Sequence, residues 1–404
     1  MGQVSNYSTS FDSKHLTEGK VFGSSGVPFA HQVSVKTGRR KSRWAWLLIF
    51  VAVVAAVYLA VIHPFPYVIE MPGPTINLLA NTQIDGKTRP IVEVSDGKNH
   101  PTSQVPGQLR LVTVSMRGGP STAAVRGWEL ISAYFDPSQN ILPYSQVFPE
   151  DVSAEEERKV QKQFMTSSQD NARAAALTAL EIPFSSKITI AGVSEKSDGY
   201  GKLKENDVLV AISHNGVEQQ ITSTADLYRI LDSTEPGTQI KVSVKRGSQL
   251  ETIEMKTIAP GEEGRKGSLL GAFINADYHF PYPISVNIPE SIGGPSAGTV
   301  FALTMMNTIS GGELIGNDSV AVTGTMSPNG MVGPIGGVVQ KIYGAQHDGA
   351  KWFLAPDYNC DQLKDAKLPE GITPVRITNL GQAADVLRAI KSGQTDKLEV
   401  CPHK

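Results

Sequence analysis

Two cysteines in 404 residues, with no C-x-x-C and no H-E-x-x-H string, supply neither a structural zinc ligand set nor a disulfide-dense framework. Cys360 and Cys401 either bridge in an oxidising space or stay as inert thiols, and the sequence leaves both open. Charge of neither sign is in excess. With 37 Lys and Arg against 39 Asp and Glu, the formal net charge is −2, so the basic surface that nucleic-acid binding requires is missing. There is no G-x-x-x-x-G-K-[ST] phosphate loop. The glycine run "GMVGPIGG" lacks both G-x-G-x-x-G spacing and a downstream ribose-binding acid, so no motif points to a nucleotide. Internal repeats and low-complexity tracts are absent, and His63, His100, His214, His279 and His347 sit in no catalytic motif.

One long apolar run is present. "WAWLLIFVAVVAAVYLAVI", residues 44–62, is 19 residues without a charge, long enough to cross a hydrocarbon core of about 30 Å as a helix. The 43 residues before it and the bulky, proline-rich "HPFPYVIEMPGP" after it argue against a cleaved signal peptide. Arg39, Arg40, Lys41 and Arg43 crowd its N-terminal side, and the next lysine or arginine is Lys87. Positive charge stays inside, so the expected topology puts residues 1–43 in the cytoplasm as a disordered tail and everything after about residue 63 outside it.

Beyond the run, "QLRLVTVSM" at 108–116 alternates as a strand, and "SAEEERKVQKQFMTSSQDNARAAALTALEI" reads as a helix capped by Ser153. Acidic residues 155–157 complement its dipole, and its Ala-rich end predicts close packing. After Pro183 the pattern becomes strand, turn, strand, turn, short helix, turn, strand, turn, strand. "GKLKENDVLVAISHNGV", "STADLYRIL" and "PGTQIKVSVKRG" together resemble a bacterial-type PDZ domain over residues 184–258. That resemblance implies capture of an extended peptide as an added strand beside the helix. From Leu269 onward strands and helices alternate, which is an α/β layer pattern.

Two tight turns stand out in that last region. Ser296 follows Gly294 and Pro295 and precedes Ala297, Gly298 and a long apolar stretch; Lys341 follows "GPIGG" at the start of a predicted helix. A small residue before an apolar helix is ordinarily a cap. A serine and a lysine that each open a helix can also meet as nucleophile and base. Lysine acts so only when neutral, which requires its pKa to fall from about 10.4 by burial, with Ile335, Val338, Val339 and Ile342 the candidate apolar surroundings. A fall of about three units corresponds to roughly 4 kcal/mol. The glycines around Ser296 leave backbone N–H groups free to face a developing oxyanion, and a helix N-terminus adds a favourable field.

"GPSAG" at 294–298, "VAVTGTMSPNGMVGPIGG" at 320–337 and the lysine four residues later resemble the proteolytic domain of Lon-type peptidases, most strongly over residues 284–357. The resemblance implies Ser296 as nucleophile, Lys341 as general base and Thr323 as the neighbour orienting the amine. "GQLRLVTVSM" and "FMTSSQDNARAAALTAL" resemble the first strands and helix of the same domain, which makes the PDZ segment an insertion. With the span, the whole resembles membrane-anchored, PDZ-containing Lon-like peptidases. The fold class expected is α/β (α+β), a Lon-type proteolytic domain with an inserted or adjoining PDZ domain and one N-terminal transmembrane helix. The expected parts are a tail (1–43), a span (44–62), an N-terminal peptidase part (63–182), the PDZ domain (184–258) and the peptidase domain (264–395).

The implied activity is an ATP-independent, membrane-anchored serine endopeptidase with a Ser-Lys dyad, cleaving extended extracytoplasmic polypeptides or membrane-protein ectodomains presented by the PDZ domain, with no cofactor or metal. A homo-oligomer is a further expectation, since relatives of the domain often form rings. One departure is Gly293, where Lon often has an acidic residue. Two rival readings fit the residues less well. Penicillin-recognising enzymes pair S-x-x-K with K-T-G, but here "SDGK" (95–98) lies in a polar turn and "KTG" (36–38) on the other side of the span. A non-catalytic PDZ scaffold would need neither Ser296 nor Lys341.

Overall fold

A computed structural model describes residues 40–84, 86–98, 106–120, 122–148, 153–260 and 267–403. Of the expected cytoplasmic tail, residues 1–39 lie outside the described residues, as do the "KTG" string and His100, whereas residues 40–43, expected in that disordered tail, open a helix. The apolar run forms one helix, α1 (Arg40–Val61), whose window Trp44–Val61 has a mean hydropathy of 2.5 and is long and apolar enough to cross a membrane. Contacts divide the chain into one unit ending at Ala55 and a second from Ala56 to the C-terminus.

The second unit begins with an antiparallel pair, β1 (Tyr67–Asn77) and β2 (Gln108–Arg117), followed by α2 (Gly127–Phe135), β3 (Asn140–Pro143) and α3 (Ala154–Ala179). At the start of α3, Ser153 Oγ accepts from Glu156 N at 3.2 Å and Glu156 Oε2 accepts from Ser153 N at 3.0 Å, so two otherwise unpaired donors are satisfied.

A self-contained antiparallel sheet follows: β4 (Ser185–Val193), β5 (Val208–His214), β6 (Val217–Gln220), helix α4 (Thr224–Asp232), β7 (Gln239–Arg246), β8 (Gln249–Lys256) and β9 (Ala272–His279). Its order is β8-β7-β5-β4-β9, with β6 paired to β5. Leu227, Ile230 and Leu231, at helical spacing on α4, close a core with Ile188, Ile190, Ile212, Val242, Val244 and Met255. This is the unit whose sequence resembles a PDZ domain (the PDZ-type unit). Its edge strand β9 comes from beyond residue 258, out of the segment the sequence pattern joins to the next layer.

The chain then returns to the first sheet through α5 (Gly298–Ile309), β10 (Ser319–Val322), α6 (Val338–His347), β11 (Trp352–Pro356), α7 (Asp357–Leu363), β12 (Thr373–Ile377) and α8 (Leu380–Ser392). The order of this sheet is β12-β11-β10-β2-β1-β3. The first four strands run parallel, and β1 and β3 join antiparallel. Strands from both sides of the PDZ-type unit therefore share one sheet, and the smaller domain is inserted.

Alternation sets the two faces. Val320 and Val322 join Leu109 and Leu111 in a core with α3, α5 and α8, whereas Ala321 joins Val112, Phe353, α6 and α7 on the other face. Helix α5 is enclosed on every side, each residue from Gly298 to Thr308 being buried. Ala172, Ala175 and Ala176 of α3 are buried in the same core, their small side chains allowing the close approach that the Ala-rich sequence predicts. On the opposite face Cys360 of α7 is disulfide-bonded to Cys401 in the segment after α8, resolving the alternative the sequence left open.

Candidate active site

Ser296 and Lys341 reach one another from opposite faces of the sheet. Ser296 sits in the turn before α5, and Lys341 sits on the first turns of α6. Between them β10 ends at Val322 and hands over to Thr323. The site is thus at the carboxyl end of a central parallel strand, where helices from both faces can converge.

The serine turn is shaped by backbone. Gly294 has φ +91°, a left-handed conformation that a side chain would strain. Pro295 O accepts from Ser168 Oγ of α3 at 3.0 Å and from Gly298 N at 3.3 Å. Ser296 O accepts from Gly324 N at 2.9 Å and Thr323 Oγ1 at 3.2 Å. A Cβ on Gly298 would come to 2.7 Å from Met326 Cβ, so glycine there lets α5 approach the strand after β10. The N-cap of α5 is Ala297, with no side-chain cap bond. Ser296 therefore does not serve as the cap that an ordinary reading gives it, and its hydroxyl is left for another partner.

That partner is Lys341. Its Nζ donates to Ser296 Oγ at 3.0 Å and to Thr323 Oγ1 at 3.4 Å. Thr323 is buried, and its hydroxyl spans the amine and the Ser296 carbonyl. Lys341 is 4% exposed. Burial pulls its pKa down from the ordinary 10.5 to about 8, the negative charge of Glu70 opposing the fall. Val338 and Ile342, on the same helix, are buried in the apolar cluster beneath it, and Ile335 and Val339 pack against that cluster.

Helix α6 is held in place at its entry. Gly337 caps it at φ +64°, and a Cβ there would come to 2.6 Å from Val114 Cγ2. Buried Asn359 of α7 grips the turn, donating from Nδ2 to Ile335 O at 2.9 Å and accepting at Oδ1 from Ile335 N at 3.0 Å.

Sequence reasoning missed Glu70 and Asn359. Glu70 is buried on β1, where its Oε2 accepts from Asn140 Nδ2 at 3.0 Å. Its one signal was a carboxylate directly after the apolar pair Val68 and Ile69. Asn359 gave no signal. The Gly293 departure has a steric counterpart: a Cβ there would come to 2.7 Å from Gln161 Cβ of α3. The rival S-x-x-K pair, Ser95 and Lys98, is exposed in a turn.

Residues 267–391 match the family described as Lon protease (S16) C-terminal proteolytic domain. Lon protease 2 of Bacillus subtilis is 33% identical over 141 residues, covering 34% of this chain and 24% of that protein. Lon protease 1 of the same organism is 30% identical over 117 residues, covering 28% and 15% respectively. The match thus spans about a quarter or less of those relatives. Among solved structures, the PDZ domain of the SdrC-like protein from Listeria monocytogenes is similar at 18% identity and a TM-score of 0.19, covering 22% of this chain and 85% of that one. Residues 267–391 thus match a Lon-type proteolytic domain, and the inserted unit has the strand and helix order that its sequence shares with PDZ domains.

Proposed function

We propose, from a chain that carries a Lon-type proteolytic domain with a PDZ-type insertion, that it is a serine endopeptidase working through a Ser296–Lys341 dyad without ATP. One observation carries this reading: a buried lysine amine lies 3.0 Å from the hydroxyl of a serine that caps no helix. Hydrogen-bond reach between nucleophile and base is the geometry acyl transfer needs.

In the proposed reaction the neutral amine of Lys341 accepts the Ser296 proton as Oγ attacks a peptide carbonyl. The resulting ammonium then protonates the leaving amine, and water, deprotonated by the same lysine, releases the acyl group. Thr323 Oγ1 accepts a second hydrogen bond from Nζ, which fixes the direction of the remaining lone pair. Backbone N–H groups of the turn before α5 are the candidates to hold the oxyanion, since those of Gly298 and Thr299 already donate to Pro295 O and Gly324 O; Gly294, Pro295, Ala297 and Gly298 set that turn.

The PDZ-type unit supports an extended polypeptide as substrate. Its edge strand β9 can accept an added strand beside α4, and the chain leaving β9 reaches the Ser296 turn after one short strand, Ile284–Val286. Helix α1, the arginine and lysine residues at its N-terminal end, and the disulfide support a membrane-anchored enzyme whose catalytic part faces an oxidising, extracytoplasmic space. ATP-driven unfolding is not part of the proposal, since these 404 residues contain no phosphate loop.

The test is hydrolysis of an unfolded polypeptide by the purified full chain without nucleotide, beside Ser296→Ala. Loss of cleavage in the variant, with an unchanged melting profile, is the expected outcome. Equal cleavage by both proteins would refute the assignment.

A further inference from the structure

Helix α2 (Gly127–Phe135) presents an unusual face. Its buried side holds Glu129 and Ala133, with Glu129 Oε2 accepting from Arg126 N at 2.7 Å and the same carboxylate paired with Arg117. At 100° per residue, the opposite side carries Trp128, Ile131, Tyr134 and Phe135, exposed by 53%, 59%, 77% and 78%. The helix's one charged side chain is thus turned inward, and its outward face is aromatic and aliphatic. The surface helix of a globular domain ordinarily has the reverse arrangement.

The place of this face on the chain gives it an occupant. Residues that follow α1 pair with the strand leading into α2, Pro64 with Arg126 and Phe65 with Val125. Arg126 Nη1 donates to Val61 O at 3.1 Å and Ile62 O at 2.5 Å, the last carbonyls of the apolar run. A Cβ on Gly127 would come within 2.9 Å of Ala60 Cα and Leu59 O. The first residue of α2 is therefore in backbone contact with the end of α1. If α1 spans a membrane, α2 starts where the chain leaves the hydrocarbon.

We propose that the Trp128–Ile131–Tyr134–Phe135 face of α2 lies in the lipid–water interface of the membrane that α1 crosses, as a second contact of the catalytic unit with that membrane. This rests on reading α1 as a span. The chemistry fits a phospholipid boundary: Trp and Tyr combine an apolar body with a polar tip and favour the headgroup level, while Ile and Phe reach toward the acyl chains. An apolar face opposed to a polar one is also the pattern of a helix lying in the interface plane. Two contacts, one across the bilayer and one along it, restrict the tilt of the domain and so the height of Ser296 above the lipid.

The experiment uses the full chain in phospholipid nanodiscs under non-reducing conditions, with the native cysteines held in their disulfide. A nitroxide is attached at Ile131→Cys, at Val54→Cys in α1, or at Leu250→Cys on β8, and its accessibility to lipid-soluble oxygen is compared with that to an aqueous nickel complex. Sites 131 and 54 should favour oxygen several-fold relative to site 250. Site 131 favouring nickel while site 54 favours oxygen overturns the α2 contact and leaves the span intact. Site 54 favouring nickel removes the span, and this proposal with it. A label at 131 shielded from both reagents, with spin–spin broadening, overturns the proposal in favour of contact with a second copy.

Discussion

If Lys341 is the base, its neutral form is the active one, and its titration should be written into the rate. Desolvation holds its pKa at about 8 instead of 10.5. A shift of that size corresponds to about 3 kcal/mol of differential interaction, which a side chain 4% exposed can experience without much solvent screening. The neutral fraction is then about one part in a hundred at pH 6, about a tenth at pH 7, half at pH 8 and about nine tenths at pH 9. Acylation of Ser296 by an activated ester, measured as a single turnover and corrected with Ser296→Ala, should rise about 50-fold from pH 6 to pH 8 and level off above pH 9. Lys341→Arg keeps a charge but cannot deprotonate in this range, so it should lose about two to four orders of magnitude and show no inflection near 8. Combining it with Ser296→Ala should cost little more than either change alone, because the two act as a unit. A flat profile for the parent enzyme, an inflection near 10.5, or an Arg variant with most of its activity would refute the reasoning.

The same titration reaches stability, with a definite sign. A lysine whose pKa falls on folding contributes stability that is fully present above 10.5 and is lost as pH falls to about 8, so Lys341→Met should raise unfolding free energy at pH 7 by up to about 3 kcal/mol, read by denaturant titration. Glu70→Gln removes the charge that opposes the fall, so the midpoint of the pH–rate profile should move down and the rate at neutral pH should rise. Gly324 has φ +142°, and a Cβ there would come to 2.6 Å from Thr299 Oγ1; Gly324→Ala should cost about 2 to 4 kcal/mol in denaturation and reduce Ser296 acylation, because Gly324 N holds the Ser296 carbonyl. Replacing Cys360 and Cys401 by serine opens a link across a sequence separation of 41 and should cost about 2 to 4 kcal/mol, with the melting temperature of the variant insensitive to reductant.

How much of this was legible depended on whether the decisive interaction was local. Turns that open a helix leave glycines and prolines behind, so Ser296 and Lys341 could be singled out in the sequence. Their meeting could not be read from local pattern, because 45 residues separate them and they lie on helices packed against opposite faces of one sheet. Only the resemblance to a known proteolytic domain brought them together. Glu70 shows the limit from the other side. On β1 it reads as the polar member of an alternation, and its influence on Lys341 arises only when α6 settles against that strand. Strand β9 has the alternating burial of any half-covered strand, so its pattern could not assign it to a sheet; pairing with Ser185–Val193 did. The cysteines were undecidable for the same reason, since nothing local fixes the distance between α7 and the chain's end.

The close approach of Gln161 to Gly293 bears on the history of the site. A Cβ at 293 and the one at 161 would stand 2.7 Å apart, so the two positions share a single volume beside the nucleophile's turn. A chain with a carboxylate at the first position must be small at the second, or must move α3 outward. The two positions should therefore vary together among related sequences, and a side chain at 293 should not be tolerated while 161 keeps its own. In this chain the shared space is taken by the uncharged side chain of Gln161, and the same residue of α3 holds the turn through its carbonyl, which accepts from Gly294 N at 3.4 Å.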